Sequence, residues 1–163
     1  MSTITIQPGC LLIADIKQHH DKHHTIAIDE QARANMQKSA DIVSEIVASD
    51  QVVYGINTGF GALSNQTIDT NHLEELQHKI VMSHAAGVGT PIEESIVRLV
   101  ILLKINTLTQ GYSGVRPVVV DYLIAFYNAG FCPLIPSQGS VGASGDLAPL
   151  AAMTAPLMGE GHV

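Results

Sequence analysis

Five helix-length segments, each bounded by capping or breaking residues, constrain the fold of this 163-residue chain more than any other feature. After Asp29, apolar residues recur at intervals of three or four from Met36 to Val47, which is the spacing of one helix face. The pattern predicts a mainly α fold. Helices are expected at 30–48, 71–87, 90–111 and 117–129, and from Asp146 onward, with starts at Asn71, Thr90-Pro91 and Pro117 and stops at Gly87, Gly111 and Gly130.

The first 28 residues have a different pattern. Short β-type runs occur at 4–6, 11–13 and 25–28, and Pro8-Gly9 separates the first two. We therefore expect a small sheet or ribbon that packs on the helical body. Between the last two runs, residues 19–24 (HHDKHH) concentrate histidine in what is predicted to be a solvated loop. No metal site is expected there, because structural zinc requires a fixed tetrahedral cage.

Composition narrows the class of protein. The chain has 46% hydrophobic and 14% charged residues with a net charge of −7, which argues against disorder and against binding to nucleic acid or an anionic membrane. So much apolar surface predicts association with other subunits. The longest central apolar run, 99–103, is too short to span a bilayer, and no secretory signal is seen. Cys10 and Cys132 form no Cys-x-x-Cys pair, so a cytoplasmic location is expected.

Residues 139–150 (GSVGASGDLAPL) form an unusual run of small residues before a helix. They do not match a serine-hydrolase elbow, since Asp146 stands where Gly-x-Ser-x-Gly requires glycine, and no lysine follows as in a phosphate loop. The tripeptide 143–145 has a chemical use. The amide nitrogen of Gly145 can attack the Ala143 carbonyl with loss of water, and Ser144 can lose its hydroxyl as a second water. The product is a five-membered ring with an electrophilic methylidene, 4-methylideneimidazol-5-one (MIO).

This segment closely resembles the signature of the ammonia-lyases that use MIO, the histidine and aromatic amino-acid ammonia-lyases. Residues 53–61 (VYGINTGFG) look like the family loop that carries a general-base tyrosine, which corresponds to Tyr54. Residues 82–89 (MSHAAGVG) place Ser83-His84 where the family discriminates among substrate side chains, and Ser-His is typical of its histidine-specific members. Taken without the resemblance, a plain flexible loop is an alternative for 53–61, and a buried core histidine is the more common outcome for His84.

The resemblance runs almost continuously from Tyr54 to Gly161 and implies the fold and activity. It implies the N-terminal, MIO-bearing domain of the L-aspartase-like ammonia-lyase fold over 1–163, without the central helical bundle and C-terminal part. The implied reaction is elimination of ammonia from L-histidine to give urocanate, in a homotetramer that needs no external cofactor. The implied roles are MIO formation by Ala143, Ser144 and Gly145, proton removal by Tyr54, substrate binding by His84, and support of the loop, at least by helix capping, by Asp146.

Other interpretations remain open at the level of sequence. The chain can be an inactive N-terminal piece that requires the rest of its polypeptide, or part of a tyrosine or phenylalanine ammonia-lyase or aminomutase. A serine hydrolase that uses Ser144, His84 and Asp146 is a third reading. Arg116 is either scaffold or close to the substrate, and the sequence does not decide between these roles.

Overall fold

The computed structural model describes residues 3–21, 24–49, 51–59, 68–69, 72–143 and 145–163, and the side chains of residues 18–21 are not described. The architecture is mainly α, as predicted, with two small sheets. Strands β1 (Thr3–Ile6) and β2 (Thr25–Ile28) are parallel, and β3 (Val88–Pro91) and β4 (Pro136–Gln138) are antiparallel. The helices are α1 (Ile13–Asp21), α2 (Glu30–Ala48), α3 (Leu73–His84), α4 (Glu94–Leu108), α5 (Pro117–Ala129) and α6 (Leu147–Thr154), and a short 3-10 helix (Ala155–Met158) follows α6.

Helix α2 has the predicted bounds because its start is capped as the sequence indicates. The Oδ1 atom of Asp29 accepts a hydrogen bond from the Ala32 amide at 2.7 Å. The buried residues Ala32, Met36 and Ala40 are four apart, so they lie on one face. Helix α5 also has its predicted bounds and ends at Gly130, which adopts the left-handed conformation with φ of 74°.

Helices α4 and α5 supply the centre of the hydrophobic core. Val97, Ile101 and Ile105 of α4 are buried, as are Val120, Leu123 and Tyr127 of α5. The guanidinium of Arg98 lies 4.2 Å above the Tyr127 ring and donates to the Tyr127 carbonyl at 3.1 Å. This contact gives a second donor to a carbonyl in the last turn of α5, which also accepts from the Gly130 amide at 3.2 Å.

The predicted start of α4 at Thr90-Pro91 is wrong. Both residues belong to β3, which pairs with β4, and the Ile92 amide donates to the Ile135 carbonyl at 2.8 Å. These contacts keep the chain extended, so the helix begins at Glu94 and has 15 residues. It ends at Leu108, three residues before the predicted stop at Gly111.

The N-terminal region forms a small sheet as expected, but its middle part is helical. Residues 11–13 were predicted to be β-type, whereas α1 begins at Ile13. The Leu12 amide donates to Oδ2 of Asp15 at 2.9 Å, and the Leu12 carbonyl accepts from the Asp15 amide at 3.0 Å, a reciprocal pair that starts the helix. Helix α1 extends to Asp21, so the predicted histidine loop is helical in its first half, and residues 22–23 lie outside the described residues.

The described residues contain neither a membrane-spanning helix nor a cluster of metal-binding side chains. In that part of the chain, no helix combines the length and apolar character needed to cross a membrane. No group of three or more His, Cys, Asp or Glu side chains there is arranged to hold a metal ion. The predicted capping box at Asn71 falls outside the described residues, and α3 begins at Leu73 without a side-chain cap from His72.

Candidate active site

A groove of about 340 Å³ lies between the C-terminal end of α3, the loop after β4 and the start of α6. Residues from two distant parts of the sequence, 83–86 and 139–148, meet here because β3 pairs with β4 and α3 packs on α6. The groove is lined by Ser83, His84, Ala86, Gly139, Val141, Ala143, Gly145, Leu147 and Ala148. Apart from Ser83 and His84, these lining residues have small or apolar side chains.

Two glycines allow the loop to approach the end of α3. A Cβ atom on Gly139 would lie 2.9 Å from the Gly87 Cα, and a Cβ on Gly87 would lie 3.1 Å from the Pro136 Cβ. Gly139 also has φ of 145°, a conformation that is almost restricted to glycine. Glycine is therefore required at 139 both by the backbone contact and by the backbone conformation.

We expect Gly139→Ala to lower the free energy of unfolding by about 3 kcal/mol, the sum of backbone strain and overpacking. Gly130→Ala is the matched control, because its φ is also positive but a Cβ there meets nothing within 4 Å. The control should cost about 1 kcal/mol. Urea denaturation of both variants checks the difference, and equal losses would contradict the role of the Gly87 contact.

The loop that follows contains two of the three residues expected to form MIO. Ala143 and Gly145 both line the groove and are exposed, whereas Ser144 lies outside the described residues. Gly142 and Gly145 have φ of 72° and 106°. A Cβ on Gly145 would meet nothing within 4 Å, so glycine is favoured there by conformation rather than by lack of space.

Asp146 supports this loop in a way that differs from the prediction. Its side chain makes no capping hydrogen bond to α6, so the predicted capping role is wrong. Instead, its Oδ1 atom accepts a hydrogen bond from the Ser140 hydroxyl, and this contact ties the two ends of the 140–146 loop together. The backbone carbonyl of Asp146 accepts from the Leu150 amide at 3.1 Å and so begins the helix.

His84 is the last residue of α3, is half-buried and lines the groove. It is therefore not the buried core histidine that was the alternative from sequence. Its Nδ1 atom lies 2.7 Å from the Ile80 carbonyl oxygen and 3.2 Å from the Ser83 hydroxyl oxygen. The Ser83 hydroxyl donates to the same carbonyl at 2.9 Å. These contacts hold the ring against the end of the helix.

Tyr54 lies in a compact turn whose shape is fixed by buried polar side chains. Asn57 accepts from the Val53 amide at 2.8 Å and donates to the Gln51 carbonyl at 2.7 Å. Asn57 and Thr58 are buried, and Gly55 has φ of 80°. Tyr54 itself is 63% exposed. The segment is thus an ordered turn over the described residues 53–59, and 60–67 lie outside them.

The structure brings together some predicted site residues and not others. His84, Ala143 and Gly145 line one groove, whereas Tyr54 does not line it. Arg116 is exposed at the position before α5 and also does not line it. Sequence reasoning missed the apolar wall made by Val141, which is 92% exposed, and by Leu147 and Ala148. The sequence signal that could have identified these residues is their position close to the expected MIO tripeptide, 143–145.

The contacts argue against a serine-hydrolase triad. A triad requires a carboxylate on the histidine Nδ1 to orient the ring. Here Nδ1 of His84 bonds to the Ile80 carbonyl, and the Asp146 carboxylate bonds to Ser140. The described contacts therefore do not support the interpretation of this chain as a serine hydrolase.

Comparison with known proteins identifies the family. The family model described as aromatic amino acid lyase matches residues 11–163. The chain belongs to the aromatic amino acid lyase family. It is 51% identical over its whole length to a histidine ammonia-lyase of Idiomarina loihiensis, of which it covers 32%. The chain thus spans about a third of the length of this curated relative.

Solved structures of the family share the fold. A tyrosine aminomutase from Streptomyces globisporus superimposes with a TM-score of 0.91 at 33% identity, over 99% of this chain and 30% of that one. A histidine ammonia-lyase from Trypanosoma cruzi gives 0.85 at 38% identity, over 96% of this chain and 30% of that one. The expected ammonia-lyase fold is therefore confirmed for this segment.

Proposed function

We propose that this chain provides the electrophile-forming loop and the ring-binding side chain of a histidine ammonia-lyase. The observation that carries the proposal is the shared groove: the half-buried imidazole of His84 faces the same space as Ala143 and Gly145. High identity to curated histidine ammonia-lyases supports the same substrate. The reaction is elimination of ammonia from L-histidine to give urocanate.

The residues of the loop fit the formation of MIO. Gly145 adopts a positive φ and has open space around its Cα, so its amide nitrogen can turn towards the Ala143 carbonyl. Attack there and dehydration of Ser144 release two waters. The Ser140–Asp146 hydrogen bond constrains the loop and reduces the entropy lost on ring closure. When formed, MIO supplies a carbon electrophile that activates the substrate amino group for departure.

The remaining steps fall to side chains of this chain. His84 binds the substrate imidazole and orients it, and Tyr54 removes the β-proton. Tyr54 is exposed and does not line the groove of its own chain, so we propose that it acts in a neighbouring copy. This role of Tyr54 requires an oligomer, and we propose the homotetramer that the family resemblance implies, in the cytoplasm. The part of the family length that lies outside this chain completes each site.

A related tyrosine or phenylalanine enzyme is the second candidate, because tyrosine and phenylalanine aminomutases share the fold. The groove disfavours phenylalanine, because its described wall presents an imidazole at 84 and a ring without a polar atom would leave that group unpaired. The hydroxyl of tyrosine can pair with the imidazole, so the case for histidine over tyrosine rests on the identity to curated histidine ammonia-lyases.

Turnover tests the proposal directly. The protein purified from its complete gene should convert L-histidine to urocanate, followed by ultraviolet absorbance, and should turn over L-tyrosine and L-phenylalanine at least about a hundredfold less efficiently. Its intact mass should be lower than that of its sequence by two waters. An unmodified mass, or a preference for tyrosine, would refute the proposal.

A further inference from the structure

The hydrogen bonds of His84 fix which of its ring nitrogens carries the proton. Nδ1 lies 2.7 Å from the Ile80 carbonyl oxygen, which can only accept, so Nδ1 is the donor. The Ser83 hydroxyl donates its own proton to the same carbonyl and can therefore accept from Nδ1 at 3.2 Å. Both contacts select the same tautomer, with hydrogen on Nδ1.

In the neutral ring, this tautomer leaves Nε2 as an acceptor. Of the described side chains that line the groove, only Ser83 and His84 are polar, and the Ser83 hydroxyl proton is already used by Ile80. The described side chains of the groove therefore offer acceptors, Nε2 of His84 and the second lone pair of the Ser83 oxygen, but no donor. The rest of the described wall is formed by small or apolar residues such as Val141, Leu147 and Ala148.

We infer that the Ile80 carbonyl, acting through His84, makes this site selective for a substrate ring that donates an N–H. The inference rests on the proposed function and deepens it, because it names the feature of the imidazole that the site recognises. His84 is the binding residue, and Ile80 and Ser83 are positioning residues. L-Histidine always carries one ring N–H and satisfies the requirement, so its turnover alone does not test the tautomer.

Two analogues of L-histidine test whether the site selects a ring that donates a hydrogen bond or one that accepts it. One carries a pyrrole ring, which donates an N–H and accepts nothing, and the other carries a thiazole ring, whose nitrogen only accepts. Inhibition of L-histidine turnover by each analogue is measured on the protein from its complete gene. We expect the pyrrole analogue to bind at least about tenfold more tightly, since the thiazole nitrogen would oppose the lone pair of Nε2 and leave both groups unpaired.

The same comparison on His84→Leu gives the control. The variant removes the Nε2 acceptor, so the preference should fall to within about twofold. His78→Leu changes an exposed histidine of the same helix and should keep the full preference.

Three outcomes would overturn the inference: equal binding of the two analogues by the unmodified protein, tighter binding of the thiazole analogue, or a preference that survives in His84→Leu. If L-histidine is turned over while the preference is missing, only this inference fails. If L-histidine is neither bound nor converted, the proposed function fails with it.

Discussion

Ser144→Ala is expected to abolish the elimination reaction, with kcat lower by more than about 10³-fold. In the proposed mechanism, Ser144 is the source of the methylidene carbon, and alanine has no β-hydroxyl to leave as water. The ring can then not acquire its electrophilic carbon, even if the backbone cyclises. The substrate amine is a poor leaving group by itself, so elimination without the electrophile should be very slow. Urocanate absorbance and the intact mass of the same sample measure the effect.

The intact mass distinguishes chemistry from misfolding in this variant. Ser144→Ala should retain the unfolding midpoint of the parent protein and should not show the loss of two waters. Ser113→Ala, at an exposed serine outside the groove, is the matched control and should keep both the mass deficit and the activity. Full activity of Ser144→Ala would rule out an electrophile derived from residues 143–145.

Tyr54→Phe is expected to lower kcat by about 10²- to 10⁴-fold, the range for loss of a positioned general base. The substitution removes only the hydroxyl, and the turn around it is held by the hydrogen bonds of Asn57 and Thr58 and the positive φ of Gly55. Stability and oligomeric state should therefore be unchanged. Steady-state kinetics should show the loss mainly in kcat, because proton removal belongs to the chemical step.

Tyr112→Phe provides the comparison, since Tyr112 is 89% exposed and does not line the groove. It should retain activity within about twofold.

A second experiment tests whether neighbouring copies share sites. A mixture of Tyr54→Phe and Ser144→Ala chains, assembled together, should recover part of the activity that each lacks alone. If the mixture remains inactive, Tyr54 and the loop act within one chain.

Helices α2 and α5 and the chemistry-bearing segments could be predicted from sequence because their signals are local. Asp29 caps the helix that follows it, and Gly130 ends α5, through contacts within a few residues. The tripeptide 143–145 is likewise recognisable as a sequence, because its chemistry needs only adjacent atoms. Where a local signal competed with a distant partner, prediction failed: Thr90-Pro91 has the composition of a helix start but pairs with β4.

Sequence by itself determined the helical body, the family resemblance and the identity of the candidate residues, since each depends on neighbours along the chain. Only the tertiary structure decided that His84 shares a groove with Ala143 and Gly145, that Gly139 touches Gly87, and that Asp146 bonds Ser140 instead of capping α6. The groove and the Gly139–Gly87 contact bring together residues more than fifty positions apart. Both depend on the β3–β4 pairing, which no local pattern specifies. The Asp146–Ser140 hydrogen bond depends on the path of the intervening loop, since one carboxylate can satisfy either partner and geometry selects between them.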